Sequence, residues 1–209
     1  MGGHIMSTDE MTGMQALERI APTKPMQPGQ VERREFEYAR HGTLSLIANF
    51  DVVSGRVVSP SLGPMRTEAD FAAHIGRTIA LDPEGVWLFV TDQLNTHPSE
   101  TLVRLVAARC GLADDLGEKG TAGVLRSMAT RAAFLSDPTH RIQFVYLPNH
   151  TSWLNQVELW FGILVRRVLK CGEVPSLDAL QARILEFIAY FNQAAKPFKW
   201  TYTGRPLVI

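Results

Sequence analysis

The stretch that decides the fold is residues 142–170, IQFVYLPNHTSWLNQVELWFGILVRRVLK. It opens with a mostly apolar run of strand length, and the Pro-Asn pair at 148–149 ends that run. From Leu154 onward the apolar residues recur at helical spacing, and Thr151 or Ser152 is placed to cap the helix. The stretch therefore predicts a buried strand that leads directly into an amphipathic helix.

Glu158 falls within the apolar stripe of this predicted helix, at about 100° per residue. We therefore expect its carboxylate to point into the face that is buried, with Asn155 nearly one turn away on the same side. Burying an unpaired carboxylate is costly, so such a group is neutralised, paired or bound to a metal. The alternative, a semi-exposed acid at the edge of the stripe, stays open from the helix alone.

Composition describes one globular domain. The chain has 209 residues, of which 45% are hydrophobic and 20% charged, and its net charge is zero. A protein that only binds nucleic acid is usually basic, so charge argues against that class. Cys110 and Cys171 form neither a disulfide framework nor a zinc spacing, and no apolar run is long enough to span a membrane. Residues 1–6, MGGHIM, are interpreted as a cloning remnant.

The order of apolar runs and breakers predicts an α/β fold. An antiparallel start followed by alternating strands and helices favours a mixed sheet covered by helices on both faces. Residues 111–141 are interpreted as an insertion that contains one short helix. Strands are predicted at 7–17, 44–53, 56–58, 86–90 and 142–147, and helices at 68–81, from 98 onward, at 124–135, from 154 onward and at 177–191.

Three acids on separate elements form the candidate site. Asp9 lies in the first strand, Asp92 ends a buried strand, and Glu158 lies on the helix that follows the last strand. Clustered carboxylates repel and raise one another's pKa unless a cation lies between them. Oxygen ligands without cysteine suit Mg²⁺ or Mn²⁺, and two such ions suit phosphoryl displacement. On this basis we expect Asp92→Asn to stabilise the metal-free protein.

Further candidates lie near the acids. Asn95 and His97 follow Asp92 and are predicted to orient a ligand or a water, although His97 is equally compatible with a helix-start role. Asp51 also ends a strand, but the Ser-Gly pair that follows favours a turn. Phosphate contact is predicted, against the alternative of a solvated surface, for Arg166, Arg167 and Lys170.

A series of motifs now identifies a family. They are TDE at 8–10, QALER at 15–19, EYARHGT at 37–43, DQLNTH at 92–97, SWLNQVELWF at 152–161 and KPFKW at 196–200. This series is similar to the DDE-type transposases of bacterial insertion sequences related to the mariner elements. The resemblance implies a ribonuclease-H-like catalytic domain over residues 7–209, with metal-binding acids at Asp9, Asp92 and Glu158.

The resemblance also implies an activity. Such enzymes cut DNA at element ends with two Mg²⁺ or Mn²⁺ ions and join the 3′ hydroxyl to target DNA at a TA dinucleotide. Trp153 and Asn155 would line the site. The enzyme would act as a homodimer on DNA in the bacterial cytoplasm, associated with the nucleoid when active. A nuclease of the same fold without joining activity, or an inactive DNA-binding or assembly remnant, remains an alternative.

Two features depart from the family. Gln93 stands where relatives often have asparagine, and Asp92 and Glu158 lie further apart than in many relatives because of residues 111–141. No helix-turn-helix module that reads element ends is present in this sequence. We therefore expect an isolated catalytic domain or one half of a split reading frame.

Overall fold

The computed structural model describes residues 3–65, 67–112, 115–148, 151–170 and 172–201. Asn149, Cys171 and residues 202–209, which the sequence-based interpretation included, lie outside these ranges. Among the described helices, none is both long and apolar enough to cross a membrane.

A five-stranded mixed sheet forms the centre of the fold. Its strand order is β3-β2-β1-β4-β5. The first three strands are antiparallel neighbours, whereas β4 runs parallel to both β1 and β5. This arrangement confirms the predicted mixed sheet. The strands are β1 (His4–Arg19), β2 (Tyr38–Asp51), β3 (Val57–Gly63), β4 (Trp87–Thr91) and β5 (Ile142–Tyr146).

Helices cover both faces of the sheet. The first three pack on one face and the last two on the other. The strand order with helices on both faces is the ribonuclease-H-like α/β fold that the resemblance implied. The helices are α1 (Glu68–Ile79), α2 (Glu100–Cys110), α3 (Met128–Leu135), α4 (Gln156–Leu164) and α5 (Leu177–Gln193).

Each face of the sheet has its own hydrophobic core. On one side Phe89 and Phe144, on neighbouring strands, stack with ring centroids 5.1 Å apart beneath α1 and α2. On the other side Phe50 packs with Trp160 of α4 and Ile184 of α5. Because strand side chains alternate between faces, the sequence of β1 supplies residues to both cores and fixes its register.

The first strand begins earlier than predicted. His4, Ile5 and Met6 belong to β1 and pair in parallel with β4, so the prediction that this strand begins at Ser7 is wrong. Met6 is buried. The origin of residues 1–6 stays a prediction, but residues 4–6 contribute to the sheet.

The start of α4 also differs from the prediction. Residues Ser152–Leu154 form a short 3₁₀ turn, and α4 begins after Asn155 rather than at a cap on Thr151 or Ser152. A π-helical turn, Val165–Leu169, follows α4 and replaces the continuous α-helix that was expected.

The insertion is anchored to the segment that follows β4. Its predicted helix is divided at Ser127, which caps α3 by accepting a hydrogen bond from the Thr130 N–H. The buried Arg131 donates from Nε to the Pro98 carbonyl at 2.7 Å and from Nη1 to the Leu125 carbonyl at 3.1 Å. Arg131 thereby connects α3 to the residues that follow Asp92.

Candidate active site

The parallel pairing of β1 and β4 brings the first two acids together. Ser7 is opposite Val90 in the register, and Asp9 and Asp92 each lie two residues further along. The Asp9 carboxylate meets Asn155 at the start of the α4 segment, and Asp92 comes close to it from the residues that follow β4. Asp9 is only 5% exposed, whereas the Asp92 side chain at the end of the sheet is one-third exposed.

The environment of Asp9 disfavours the charged form of its carboxyl group. Its Oδ1 accepts a hydrogen bond from the Glu10 N–H at 2.8 Å, and its Oδ2 accepts one from Asn155 Nδ2 at 3.1 Å. Burial, followed by the negative charges of Asp92 and Glu158, raises the pKa of Asp9 to about 7 despite the Glu10 hydrogen bond. Near neutral pH this site therefore favours a proton or a cation on Asp9.

Asp92 is paired with a buried histidine. Burial, the largest single influence, raises the pKa of Asp92, but the hydrogen bonds from His97 and from the Leu94 N–H, together with the charge of His97, hold that pKa below its usual value. His97 Nδ1 lies 2.8 Å from Asp92 Oδ1 and 2.7 Å from Thr91 Oγ1. Although burial lowers the pKa of His97, this contact with Asp92 raises it overall. The expectation of a raised pKa therefore fits Asp9 but is wrong for Asp92.

Asp9, Asp92 and His97 form a compact ligand group. One ligand atom from each lies within 4.8 Å of the others. Two carboxylates at this separation, one of them with a strongly raised pKa, fit a divalent cation that neutralises both. Since His97 Nδ1 already donates to Asp92, this histidine is better placed to orient the carboxylate than to bind the ion itself.

Glu158 lies at the exposed edge of this group. It is exposed on the first turn of α4, so the expectation that it points into the core is wrong. The buried stripe of α4 is formed by Val157, Trp160, Phe161 and Leu164, and Glu158 lies outside it. Partial burial of the carboxyl and the charge of Asp92 raise the pKa of Glu158. Glu158 is therefore electrostatically coupled to both aspartates without being enclosed with them.

Of the remaining predicted residues, Asn155 and His97 lie against the acids, and the others lie at the surface. Asn95 is exposed in the turn after β4, and Trp153 is 50% exposed. The three predicted phosphate contacts are exposed on and after the π-helical turn: Arg166, Arg167 and Lys170. Asp51 shapes its turn, since its carboxylate accepts from the backbone N–H of residues 53 and 54.

Two residues near the site were missed from the sequence. Ser7 lies two residues before Asp9 on the same strand face and contacts Asn155. Glu10 points to the opposite face, where its Oε1 lies 4.0 Å from His97 Nε2. Strand periodicity could have identified Ser7, because a period of two places it beside Asp9. The Glu10 contact depends on the loop after β4, for which the sequence offers no signal.

Comparisons with known proteins give the family. Among curated proteins, no match to the chain is found. Solved structures with similarity include two Mos1 mariner paired-end complexes, one with Mn and one with Mg. They are 14% and 13% identical, with TM-scores of 0.35 and 0.33, and cover 90% and 94% of this chain. The chain spans 53% and 57% of their lengths, and at this level of similarity they do not bear on its site.

The family assignment rests on a match along most of the chain. The family model described as DDE superfamily endonuclease matches residues 4–181, which include all five strands and the three candidate acids. The motifs around Asp9, Asp92 and Glu158 indicated the same family. The chain belongs to the DDE superfamily endonuclease family.

Proposed function

We propose that this chain is the catalytic domain of a DNA transposase related to the mariner elements. It would hydrolyse phosphodiester bonds at element ends and transfer the 3′ end to target DNA. Family membership supports nuclease chemistry, and the two aspartates, one within β1 and one directly after β4, support its dependence on a metal. The enzyme would act on DNA in the bacterial cytoplasm, associated with the nucleoid, as a homodimer.

The observation that carries this proposal is the convergence of Asp9 and Asp92, whose ligand atoms lie within 4.8 Å of each other, at a place where burial raises the pKa of Asp9 to about 7. A buried carboxyl group that accepts two N–H donors is oriented for negative charge, yet the site supplies too little positive charge to stabilise it. Asp9 and Asp92 would hold two Mg²⁺ or Mn²⁺ ions, and Glu158 would complete the ligands of one. When bound, such ions lower the pKa of an attacking water and stabilise charge on the phosphate.

The surrounding residues would orient the acids and the substrate. His97 fixes Asp92 through Nδ1, and Asn155 fixes Asp9 through Nδ2. Both side chains are fully buried, so their orientations are set by packing. Asn95 would orient a ligand or a water. DNA contact is proposed for exposed residues that precede and follow Glu158 along the chain, namely Trp153, Arg166, Arg167 and Lys170.

The first test replaces Glu158 with glutamine, which keeps its size and removes its charge. Glu158→Gln is expected to lower strand transfer of pre-nicked element-end DNA in Mn²⁺ by about 10–100-fold, because one ion loses an anionic ligand. DNA affinity in chelator should stay unchanged. Equal strand transfer by wild type and variant would refute the role of Glu158. Glu84→Gln, an exposed glutamate before β4, is the matched control.

The products of the same assay separate the alternatives. Joined strands are expected; cut strands without joined products would indicate a nuclease. Titration with Mn²⁺ by calorimetry addresses the inactive remnant, since the absence of a saturable site in the wild-type protein would favour it. The wild-type protein is expected to bind Mn²⁺ saturably, and Asp92→Asn is expected to weaken that binding.

A further inference from the structure

The first turn of α4 is capped by a residue from another element. Asn155 is the N-cap residue, but its side chain makes no cap hydrogen bond to its own helix. The Val157 N–H, which an N-cap side chain commonly satisfies, donates instead to Ser7 Oγ of β1 at 2.8 Å. Ser7 therefore performs, across the sheet–helix interface, the capping that Asn155 would otherwise supply.

The amide of Asn155 is in turn directed at the site. Its Oδ1 accepts a hydrogen bond from Ser7 Oγ, and its Nδ2 donates to the Thr8 carbonyl at 3.0 Å and to Asp9 Oδ2 at 3.1 Å. Ser7 is 1% exposed, and Asn155 is fully buried. The two side chains thus form a buried hydrogen-bonded bridge from the helix that carries Glu158 to the carboxylate of Asp9.

We propose that Ser7 is a positioning residue for Asp9. By capping α4 and holding Asn155 Oδ1, Ser7 keeps the Asn155 amide turned toward Asp9. Asparagine is among the preferred N-cap residues, so without the Ser7 hydroxyl the Asn155 side chain would turn back to the free N–H groups of α4. Asp9 would then lose a hydrogen-bond donor. The effect on metal binding rests on the function proposed above, whereas the bridge itself does not.

The bridge is tested first in the metal-free protein. The side-chain NH₂ protons of Asn155, observed by ¹⁵N NMR, are expected to be protected from hydrogen exchange in the wild type. Ser7→Ala should lower that protection at least tenfold. Ser7→Thr, which keeps the hydroxyl, should have the same protection as the wild type. The control is Thr8→Val, which removes a buried hydroxyl that bonds Asn49 Oδ1 at 2.7 Å on the opposite face. Unchanged protection in Ser7→Ala would overturn the proposal.

Metal affinity then separates positioning from a purely structural role. Ser7→Ala is expected to weaken Mn²⁺ binding by about 10–100-fold, the usual effect of removing a group that orients a ligand. Thr8→Val should bind Mn²⁺ as the wild type does, even if both variants lose thermal stability. If both bind equally well, Ser7 has no positioning role. If the wild type binds no Mn²⁺, the proposed function fails, and the NMR result alone decides whether the bridge exists.

Discussion

In the absence of metal at pH 8, Asp9→Asn is expected to raise the free energy of unfolding by about 2–4 kcal/mol. The folded pKa of Asp9 is about 7, against an ordinary value of 3.8. Ionising this carboxyl therefore costs the folded state up to about 4 kcal/mol. The neutral asparagine side chain avoids this cost, but it loses part of the gain because it makes a poorer hydrogen bond with Asn155. Urea unfolding in chelator measures the difference.

The sign of the effect depends on pH. Because the folded pKa is raised, the proton on Asp9 contributes stability that is fully present below about pH 4 and is lost as pH rises through about 7. The advantage of Asp9→Asn should therefore be absent at pH 4 and largest above pH 7. Asp51→Asn, which alters a turn-forming carboxylate at the end of β2, is the control. A stability gain that is the same at pH 4 and pH 8 would contradict the raised pKa.

With Mn²⁺ present, the same substitution is expected to be strongly unfavourable for function. Loss of a ligand proposed to be shared by both ions should lower DNA cleavage by about 10³-fold, equivalent to about 4 kcal/mol of transition-state stabilisation. The wild type should also gain thermal stability from Mn²⁺, whereas Asp9→Asn should not. A variant that is more stable without metal and nearly inactive with it would show that Asp9 is kept for its charge rather than for folding.

Asp9, and not Asp92, is the acid whose removal should stabilise the protein. The sequence places both in a cluster and predicts repulsion for each. The structure separates them, because Asp92 is paired with His97 while Asp9 accepts only neutral N–H donors. Asp92→Asn would leave His97 without its carboxylate, so the stabilisation expected from the sequence does not follow.

Much of the sheet could be predicted because its signals are local. The apolar run of β4 is nearly continuous and that of β5 is interrupted by Gln143; β4 lies inside the sheet and β5 at one edge. The helix α1 begins at residue 68 as predicted, after its cap Thr67, and α2 begins at residue 100, two residues after the predicted start and directly after its cap Ser99. Such signals depend on a few neighbouring residues, and tertiary packing does not overturn them here.

The start of α4 could not be predicted because its cap is tertiary. The sequence around residue 152 offers hydroxyl residues at the usual capping position, but the hydroxyl that caps α4 comes from Ser7. The buried stripe of this helix includes Trp160, and Glu158 lies outside it at the surface. The motif around Glu158 falls on α4, and the contact that caps this helix joins residues 150 positions apart along the chain, which no local pattern can reveal.

His97→Phe is expected to lower both the free energy of unfolding and the affinity for Mn²⁺. Phenylalanine keeps a ring of similar shape against Phe71, whose centroid lies 4.3 Å from that of His97, but removes both nitrogens. Asp92 then loses its charged hydrogen-bond partner, at a cost of about 2–3 kcal/mol in the free energy of unfolding. Mn²⁺ affinity should fall by about 10–100-fold, because among the described residues His97 is the side chain that holds the Asp92 carboxylate in place.

The matched control for this substitution is His74→Phe. His74 is also fully buried and bonds one hydroxyl, Ser61 Oγ, at 2.7 Å from Nδ1, but it lies on α1 beside β3. Burial, with a contribution from Arg77, lowers its pKa to about 3, so it is neutral when folded. Its replacement should cost stability without changing Mn²⁺ affinity. Equal losses of Mn²⁺ affinity in both variants would show that His97 acts only through general stability.

The pH dependence distinguishes the two histidines further. The folded pKa of His97 is raised, so its pairing with Asp92 contributes stability that is fully present below the ordinary value of 6.5 and is lost as pH rises through the folded pKa. His97→Phe should therefore destabilise the protein most near pH 6 and less at pH 9. The opposite applies to His74, whose lowered pKa means that its protonation in the unfolded state removes stability as pH falls below 6.5. Because the two pKa shifts have opposite directions, unfolding curves at pH 6 and pH 9 identify which histidine is held by a carboxylate.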